Sequence, residues 1–402
     1  MDEVRKSIIT CHTMLDMIRI RKNTSASVEA LKDDLGISRS TADNLYKKLT
    51  GGKDGPPLVV REKRGSRILG ERGYFFGVSI GSKHIRAVLL DLNFDPVPRA
   101  QMEKSAALKQ IPQIDGYLEK ESDPYSYAFL SSGNDKFLDI RRMVIRLVEL
   151  FLKWASQEHA PLMGIGFALA GPVDYEAQVW RSAPHITDIR NITLPDVIGH
   201  ELLRQAAVLD LFLSMDNNAK ASIVSEYQYL LEKNGGDYQE DVALIYIGSG
   251  VGSAAVLDQK LLRGSHNLSG ELGHIRIEGA PIEKFLTDPD KHPQYIPLVL
   301  NTVNCLLGID RFILVGHDIR SNEALIPSLM DQRLLFTVTS TQQYCKAEPG
   351  RGQASTAAIG AAMEAYFSMC GYNPQSPSQN RINLAKEISW RPVRQPQNMY
   401  SE

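Results

Sequence analysis

Three apolar segments of strand length run directly into turns that contain glycine. The segments are Tyr74–Ile80, 163–169 and Val242–Ile247, and their turns hold Gly81, Gly171 and Gly248. Glycine in such a turn lets backbone amides approach a phosphate or a sugar hydroxyl closely. Because the three segments alternate with helical patterns, the sequence predicts an α/β body made of two related lobes.

Length and composition indicate a globular chain with more than one folding unit. The 402 residues are 43% hydrophobic and 23% charged. No uninterrupted apolar run approaches the roughly 20 residues of a membrane span. The four cysteines are scattered without paired spacing, which predicts free thiols. We therefore expect no secretory signal, no membrane partner and a cytoplasmic location.

The first 72 residues differ in charge from the rest of the chain. They hold 15 lysines and arginines against 10 acidic residues, whereas the remainder holds 30 against 37. A basic head on an acidic body suggests a polyanionic partner for the head alone. A solvated basic face is the alternative explanation.

The head has the pattern of a helix-turn-helix. Residues 8–20 are apolar at helical spacing, and a second apolar stripe stops at Gly36, a residue suited to a helix C-terminus. Ser38 or Ser40 can cap a third helix over residues 40–49. Two short helices joined by a tight turn that contains glycine are the defining arrangement of a helix-turn-helix.

A basic hairpin follows the third helix. Apolar pieces at 58–60 and 67–69 flank a cationic tip with Gly65, which predicts a wing. The third helix would contact base edges in the major groove, and the wing would contact phosphates. A small helical domain with a solvated basic face and a protein-binding winged helix are the alternatives. The predicted DNA-binding residues are Arg39, Thr41, Asn44, Lys47, Lys48, Arg61, Lys63, Arg64 and Arg67.

The body resembles the ROK family (repressors, open reading frames and kinases). With the head, the chain resembles the sugar-responsive repressors of that family. The resemblance implies an N-terminal winged helix-turn-helix followed by a two-lobed, actin-like and sugar-kinase-like (ribonuclease H-like) α/β domain around a sugar cleft. The stretches that carry it are GVSIGSKHIRAVLLDL (77–92), GIGFALAGPVD (164–174), MDNNAKASIVSE (215–226), YIGSGVGSAAVLDQKLLRGSHNLSGELGHIRIE (246–278), and FILVGHD (312–318) with AAIGAA (357–362).

The resemblance also implies a sugar site. Asp216 matches the general base of the family's kinases, and Glu271 and His274 match positions that line the sugar. The alternative is that these three residues are inherited scaffolding that orients loops without a ligand. The turn at His266 and Asn267 is expected at the surface. The expected effector-binding residues are Gly171, His185, Asp216, Asn218, Glu271, His274 and Glu283.

Several positions depart from the family's kinases. Ser79 replaces an acidic residue suited to holding Mg²⁺ and nucleotide phosphates, and His317 replaces a glycine on the adenosine side. We therefore expect no kinase activity, with Asp216 as a vestigial general base. Residues 277–284 contain no cysteine where the family's zinc loop lies, so His274 is a single ligand and we expect the zinc to be lost, leaving no cofactor.

Together these patterns predict a DNA-binding repressor of carbohydrate metabolism that is controlled by a sugar-like effector. We expect a homodimer, or a dimer of dimers, on a palindromic operator. An ATP-dependent sugar kinase with an appended DNA-binding head and a ligand-independent DNA-binding regulator are the rivals. The predicted domains are the head (1–72), the first lobe (73–188, with 355–371 returning to it), the second lobe (189–354) and a tail (372–402).

Overall fold

A computed structural model gives the fold over most of the chain. It describes residues 11–22, 26–51, 57–63, 65–118, 123–130, 137–183, 185–236, 238–248, 250–316, 319, 337–340 and 356–369. The predictions for Arg64, His317 and the tail lie outside these residues. Within them, no helix is long and apolar enough to cross a membrane.

The N-terminal unit consists of three short helices and one hairpin. Ser27 caps the second helix by accepting a hydrogen bond from the backbone amide of Ala30, and Gly36 ends it with a φ of 60°. The prediction for Gly36 is therefore confirmed. Ser38, one of the two predicted caps, begins the third helix one residue earlier than expected. The elements are α1 (Cys11–Ile20), α2 (Val28–Leu35), α3 (Arg39–Leu49), β1 (Val59–Glu62) and β2 (Gly65–Ile68).

The hairpin packs onto the helices through β2. The Ser66 hydroxyl lies 2.9 Å from the Tyr46 hydroxyl and 2.8 Å from the Ala26 carbonyl oxygen, which joins β2 to α3 and to the start of α2. A Cβ atom at Gly65 would lie 2.8 Å from the backbone nitrogen of Ala26. This close approach fixes the hairpin beside the helices.

The first of two five-stranded sheets has the order β10-β6-β3-β4-β5. Strands β3, β6 and β10 are parallel, and their last residues Ile80, Leu169 and Asn217 are in register. Strand β4 pairs antiparallel with both β3 and β5. The strands are β3 (Tyr74–Ile80), β4 (His84–Asp91), β5 (Ser126–Leu130), β6 (Leu162–Leu169) and β10 (Phe212–Asn217).

The lobe boundary predicted at residue 188 is wrong. Strand β10 pairs with β6 over its full length, from Phe212 opposite Gly164 to Asn217 opposite Leu169. A strand inside the first sheet cannot belong to the second lobe, so the first lobe extends at least to Asn217. The helices before it also pack on the helix Phe137–Gln157, whose Phe151 stacks on Phe76 of this sheet. The further elements of the lobe are α4 (Arg99–Met102), α5 (Phe137–Gln157), α6 (Leu194–Ile198), α7 (His200–Val208), β7 (Val173–Asp174), β8 (Val179–Ser182) and β9 (Arg190–Thr193).

The second sheet has the order β13-β12-β11-β16-β17. Strand β11 is antiparallel to β12 and parallel to β16, so the sheet repeats the mixed pairing of the first. The strands are β11 (Val242–Ile247), β12 (Val251–Leu257), β13 (Lys260–Leu261), β16 (Arg311–Val315) and β17 (Thr337–Ser340); beside them are β14 (Arg276–Ile277), β15 (Ala280–Pro281), α8 (Asn218–Lys233), α9 (Glu283–Leu286) and α10 (His292–Leu307).

Helix α11 (Thr356–Met369) lies between the first sheet and α8. Three glycines allow this close packing. A Cβ at Gly77 would lie 1.9 Å from the Ala358 carbonyl oxygen, one at Gly166 1.8 Å from that of Ala361, and one at Gly360 1.7 Å from that of Ala221. A side chain at any of these three glycines would therefore clash with a neighbouring backbone.

Candidate functional site

The ends of three parallel strands place the candidate cleft residues at one edge of the first sheet. Strands β3, β6 and β10 end in register, so the turns after Ile80 and Leu169 and the start of α8 after Asn217 lie together. Ligand sites in open α/β sheets lie beyond the carboxyl ends of such strands. Asn217 caps α8 and also donates from Nδ2 to the Gly171 carbonyl oxygen at 2.8 Å, which ties the predicted Gly171 turn to this edge.

Asp216 lies at this edge but is fully enclosed, with 0% of its surface exposed. Its Oδ1 accepts hydrogen bonds from the Asn217 amide at 2.7 Å and from Asn267 Nδ2 at 3.0 Å. Its Oδ2 accepts one from Arg263 Nη1 at 2.5 Å. In this conformation both carboxylate oxygens accept hydrogen bonds from the protein. This arrangement fits the alternative in which Asp216 orients loops and binds no ligand.

Arg263 and Glu364 complete a buried charged network around Asp216. The Arg263 guanidinium stacks 3.7 Å above the Tyr175 ring, and its Nη2 lies 3.5 Å from Glu364 Oε1. Burial, together with the nearby charge of Asp216, raises the pKa of Glu364 well above its usual range. Burial opposes ionisation of Asp216, but the charges of Arg263 and Lys220 together with the hydrogen bonds to this carboxylate outweigh it and lower its pKa. The network therefore favours the ionised form of Asp216 and disfavours the ionised form of Glu364.

Asn267 belongs to this network, so the expectation of a surface turn there is wrong. It is buried, and its Nδ2 donates both to Asp216 and to the Val173 carbonyl oxygen at 2.7 Å. Lys220 of α8 donates from Nζ to the carbonyl oxygens of Asn267 and Ser269. Burial lowers the pKa of Lys220. The loop that carries Arg263 is thus hydrogen-bonded to the start of α8. Asn267 of this loop is buried because its polar groups have hydrogen-bond partners there.

A second group of predicted residues faces the cleft and is partly exposed. His185 Nε2 lies 2.9 Å from Glu283 Oε1, and the backbone amide of Val251 donates to Glu283 Oε2 at 3.1 Å. The side chains of His185 and Glu283 are 42% and 23% exposed. Gly250 leaves space for this pair, since a Cβ there would lie 3.2 Å from Glu283 Oε2. The pair joins the loop after β8 to the start of α9 in the second lobe.

Glu271 and His274 lie on the same side as Glu283. His274 Nε2 is 3.7 Å from Glu271 Oε2. Burial raises the pKa of Glu271, an effect that Lys220 and His274 reduce and Glu283 increases. Carboxylate and imidazole groups supply the acceptors and donors that sugar hydroxyls need. Of the predicted set, His185, Glu271, His274 and Glu283 have partly exposed side chains, whereas Asp216 is fully buried.

Two neutral side chains, Ser79 and Asn218, meet at the end of strand β3. Ser79 donates to Asn218 Oδ1 at 3.2 Å, and Asn218 Nδ2 donates to the Ile80 carbonyl oxygen at 3.3 Å. No carboxylate stands at Ser79 to hold a magnesium ion. The residues near His274 do not fit the family's zinc either, because its ring pairs with Glu271 and residues 277–284 hold no cysteine. Among the described residues, no group of three or more His, Cys, Asp or Glu could hold a metal ion.

The head exposes a polar face on α3 and on the hairpin. Asn44, Lys47 and Lys48 are exposed on α3, Thr41 is half-buried, and Arg61 and Lys63 are exposed on the hairpin. Two predicted cations have partners already. Arg39 pairs with Glu29 and Asp43, and Arg67 pairs with Glu62. Such solvent-exposed ion pairs are weak.

The network residues that sequence reasoning missed are Tyr175, Lys220, Arg263 and Glu364. Arg263 lies inside the long motif at 246–278, and this position was the only sequence feature that could have marked it as a site residue. Nothing local marks Glu364, which is a single acid in an otherwise apolar helix. Its role follows only from the packing of α11 against the edge of the first sheet.

Comparison with known proteins agrees with this fold. Residues 138–308 match the model of the ROK family. A xylose repressor of Caldicellulosiruptor bescii is 28% identical over 153 residues, which are 38% of this chain and 35% of that protein. A glucokinase of Thermotoga maritima is 26% identical over 136 residues, which are 34% of this chain and 39% of that protein. A solved ROK family transcriptional regulator, a homolog of the E. coli MLC protein, aligns with a TM-score of 0.57 at 14% identity over 92% of this chain and 99% of its own.

The body thus has the mixed α/β, sugar-kinase-like fold. Residues 138–308 are similar to the ROK family, and the resemblance to that family inferred from the five stretches is confirmed. The aligned segments span between a third and two fifths of the two curated relatives.

Proposed function

We propose that this protein is a cytoplasmic DNA-binding transcriptional regulator, a repressor of carbohydrate metabolism whose operator affinity is controlled by a sugar in the cleft. One observation carries the proposal. A unit of three helices and a basic hairpin, which we interpret as a winged helix-turn-helix, exposes Asn44, Lys47 and Lys48 on its third helix and is joined to a ROK body. Short amides and long cations are the side chains that contact base edges and phosphates in the major groove.

In this proposal the head binds one half of a palindromic operator. A homodimer, or a dimer of dimers, presents two such heads about one helical turn of DNA apart. Helix α3 enters the major groove, and Arg61 and Lys63 of the hairpin contact the phosphate backbone.

The effector contacts the accessible surface formed by His185, Glu271, His274 and Glu283. The name of the similar xylose repressor favours a sugar, and the donors and acceptors of this surface suit hydroxyl groups. Asp216 joins the effector only when Arg263 moves, because that guanidinium now occupies its Oδ2. Sugar binding would therefore open the buried network and change the relation of the lobes.

The first experiment selects a binding sequence from a random pool of DNA duplexes and measures its affinity by anisotropy. Lys47→Ala combined with Lys48→Ala should weaken binding and reduce the slope of log affinity against log salt by about 2, since two phosphate contacts are lost. Lys153→Ala is the matched control, because Lys153 is an exposed lysine of α5 in the body. Failure to enrich any sequence, or equal losses in the control, would contradict a DNA-binding head.

A sugar kinase is the second candidate, favoured by the similarity to a glucokinase and by the presence of Asp216. The geometry counts against it. A general base must reach the substrate hydroxyl, and Asp216 is enclosed and paired with Arg263. Consumption of ATP with magnesium and any sugar of a broad panel would establish the kinase instead.

A further inference from the structure

A buried arginine fastens α1 of the head to the body. Arg19 is 1% exposed, and its Nε and Nη2 donate to the Leu92 carbonyl oxygen at 3.3 and 2.8 Å. It also forms an ion pair with Asp16 and lies 3.8 Å from the centre of the Phe94 ring. Since an enclosed guanidinium is stable only with its partners in place, this cluster holds α1 in one orientation on the first lobe.

Helix α11 supplies part of the same cluster. The Tyr366 hydroxyl donates to Asp16 Oδ1 at 2.7 Å, and the Tyr366 ring lies 4.6 Å from the Arg19 guanidinium. A further contact lies at the far end of α8, where Lys22 pairs with Glu232 at 2.9 Å. The head is thus bonded to the two helices that pack against each other in the body.

The same helix α11 reaches the candidate effector site. Glu364 lies two residues before Tyr366 and is in the buried network with Arg263 and Asp216. Residues i and i+2 of an α-helix are about 200° apart around its axis. One face of α11 therefore contacts the cleft network, and the opposite face contacts the head.

The packing of α11 leaves it little freedom to absorb a displacement. Gly77 and Gly166 bring the first sheet against its carbonyl oxygens, and Gly360 brings α8 against its other side. Closely packed elements shift between discrete arrangements and do not deform continuously.

We propose that α11 couples the cleft to the head, with Glu364 and Tyr366 as its two positioning residues. When Arg263 leaves Asp216, Glu364 loses its buried partner and α11 shifts, so the contacts of Tyr366 with Asp16 and Arg19 change and α1 is reoriented. The functional meaning rests on the proposed function, in which the head binds DNA and the cleft takes the effector. The coupling is reciprocal, so a substitution at Tyr366 must also change the stability of the loop that carries Arg263.

Hydrogen–deuterium exchange on the full chain tests the coupling without operator or effector. Glu364→Ala keeps a good helix former in place and removes the contact with Arg263. We expect exchange in peptides from 11–22 to rise about fivefold, because α1 opens more readily when the support of α11 is weakened. Glu364→Gln, which resembles the protonated carboxyl, should return it to within about twofold of the wild type. Tyr366→Phe should raise exchange both in 11–22 and in the distant segment 262–270.

Thr356→Ala is the matched control, since Thr356 is a buried residue of α11 whose hydroxyl lies 3.4 Å from that of Ser222 and outside both clusters. It should leave both peptides unchanged. If Glu364→Ala alters only 262–270, or if the control raises exchange as much, the coupling does not exist. If Glu364→Ala fails to fold, Tyr366→Phe is the test: raised exchange in 262–270 supports the coupling, and unchanged exchange there contradicts it. None of these outcomes depends on DNA binding, so they are separate from a failure of the proposed function.

Discussion

At the residue scale, the pairing of Asp216 with Arg263 decides what the cleft can do. A carboxylate that serves as a general base or contacts a ligand needs an accessible oxygen, and Asp216 is fully buried with both oxygens hydrogen-bonded to the protein. Such a buried ion pair is costly to break from one side alone, because the remaining charge stays in a medium of low polarity. An effector that engages Asp216 must therefore supply hydrogen bonds that replace those of Arg263.

The sequence predicted the position of Asp216 but not its partners. The resemblance at 215–226 singled out Asp216 as a site residue, and the structure places it near the end of strand β10. Arg263 and Glu364 are far from Asp216 along the chain, and no local pattern indicates that they meet. Asn267 was misassigned for the same reason, since a polar residue in a short turn is ordinarily solvated. The environment of the site became visible only with the tertiary contacts.

Glu364 makes stability depend on pH in a definite direction. Its pKa in the folded chain is raised well above the ordinary 4.5, so its stabilising contribution is complete below that value and is lost as pH rises through the folded-state pKa. A glutamine does not titrate. We expect the urea midpoint of Glu364→Gln, relative to that of the wild type, to rise between about pH 5 and about pH 8. A midpoint difference that is the same at both pH values would contradict the raised pKa of Glu364.

At the element scale, the strands were easier to predict than the lobes. Tyr74–Ile80 and Val242–Ile247 were predicted with the bounds that the structure has, because each is an apolar run closed by glycine. The lobe boundary was misplaced because strand β10 pairs with β6, and a pairing between distant segments leaves no local trace. The pattern of apolar residues predicts where strands lie, whereas the sheet to which a strand belongs depends on its pairing with segments distant in sequence.

The contact between β6 and α11 gives a prediction at this scale. A methyl group at Gly166 would lie 1.8 Å from the Ala361 carbonyl oxygen, so Gly166→Ala must displace the helix. We expect a loss of about 3 kcal/mol or more in the free energy of unfolding, measured by urea denaturation. Gly252→Ala is the control, because its methyl group would meet Ala219 Cβ at an ordinary 3.5 Å. If both substitutions cost the same, the close packing of α11 is not what stabilises this region.

At the scale of the whole molecule, the head and the cleft are joined through shared helices. Helix α8 begins beside Asp216, and Glu232 near its last turn pairs with Lys22 of the head. Helix α11 contacts the Asp216 network through Glu364 and the Arg19 cluster through Tyr366. The fold class followed from the sequence motifs. The joining of the head to α8 and α11 did not, because it depends on Arg19 and Tyr366, which lie at opposite ends of the chain.

The most direct test of the account is the affinity of the full chain for its selected duplex with and without D-xylose, D-glucose and further sugars. We expect at least one sugar to weaken DNA binding by between about 5-fold and 150-fold, the usual range of allosteric coupling. His185→Ala should abolish the sugar effect and keep DNA binding, whereas His200→Ala, at an exposed histidine outside the cleft, should keep both. An affinity that no sugar changes, or a sugar effect that persists in His185→Ala, would contradict a sugar-controlled cleft.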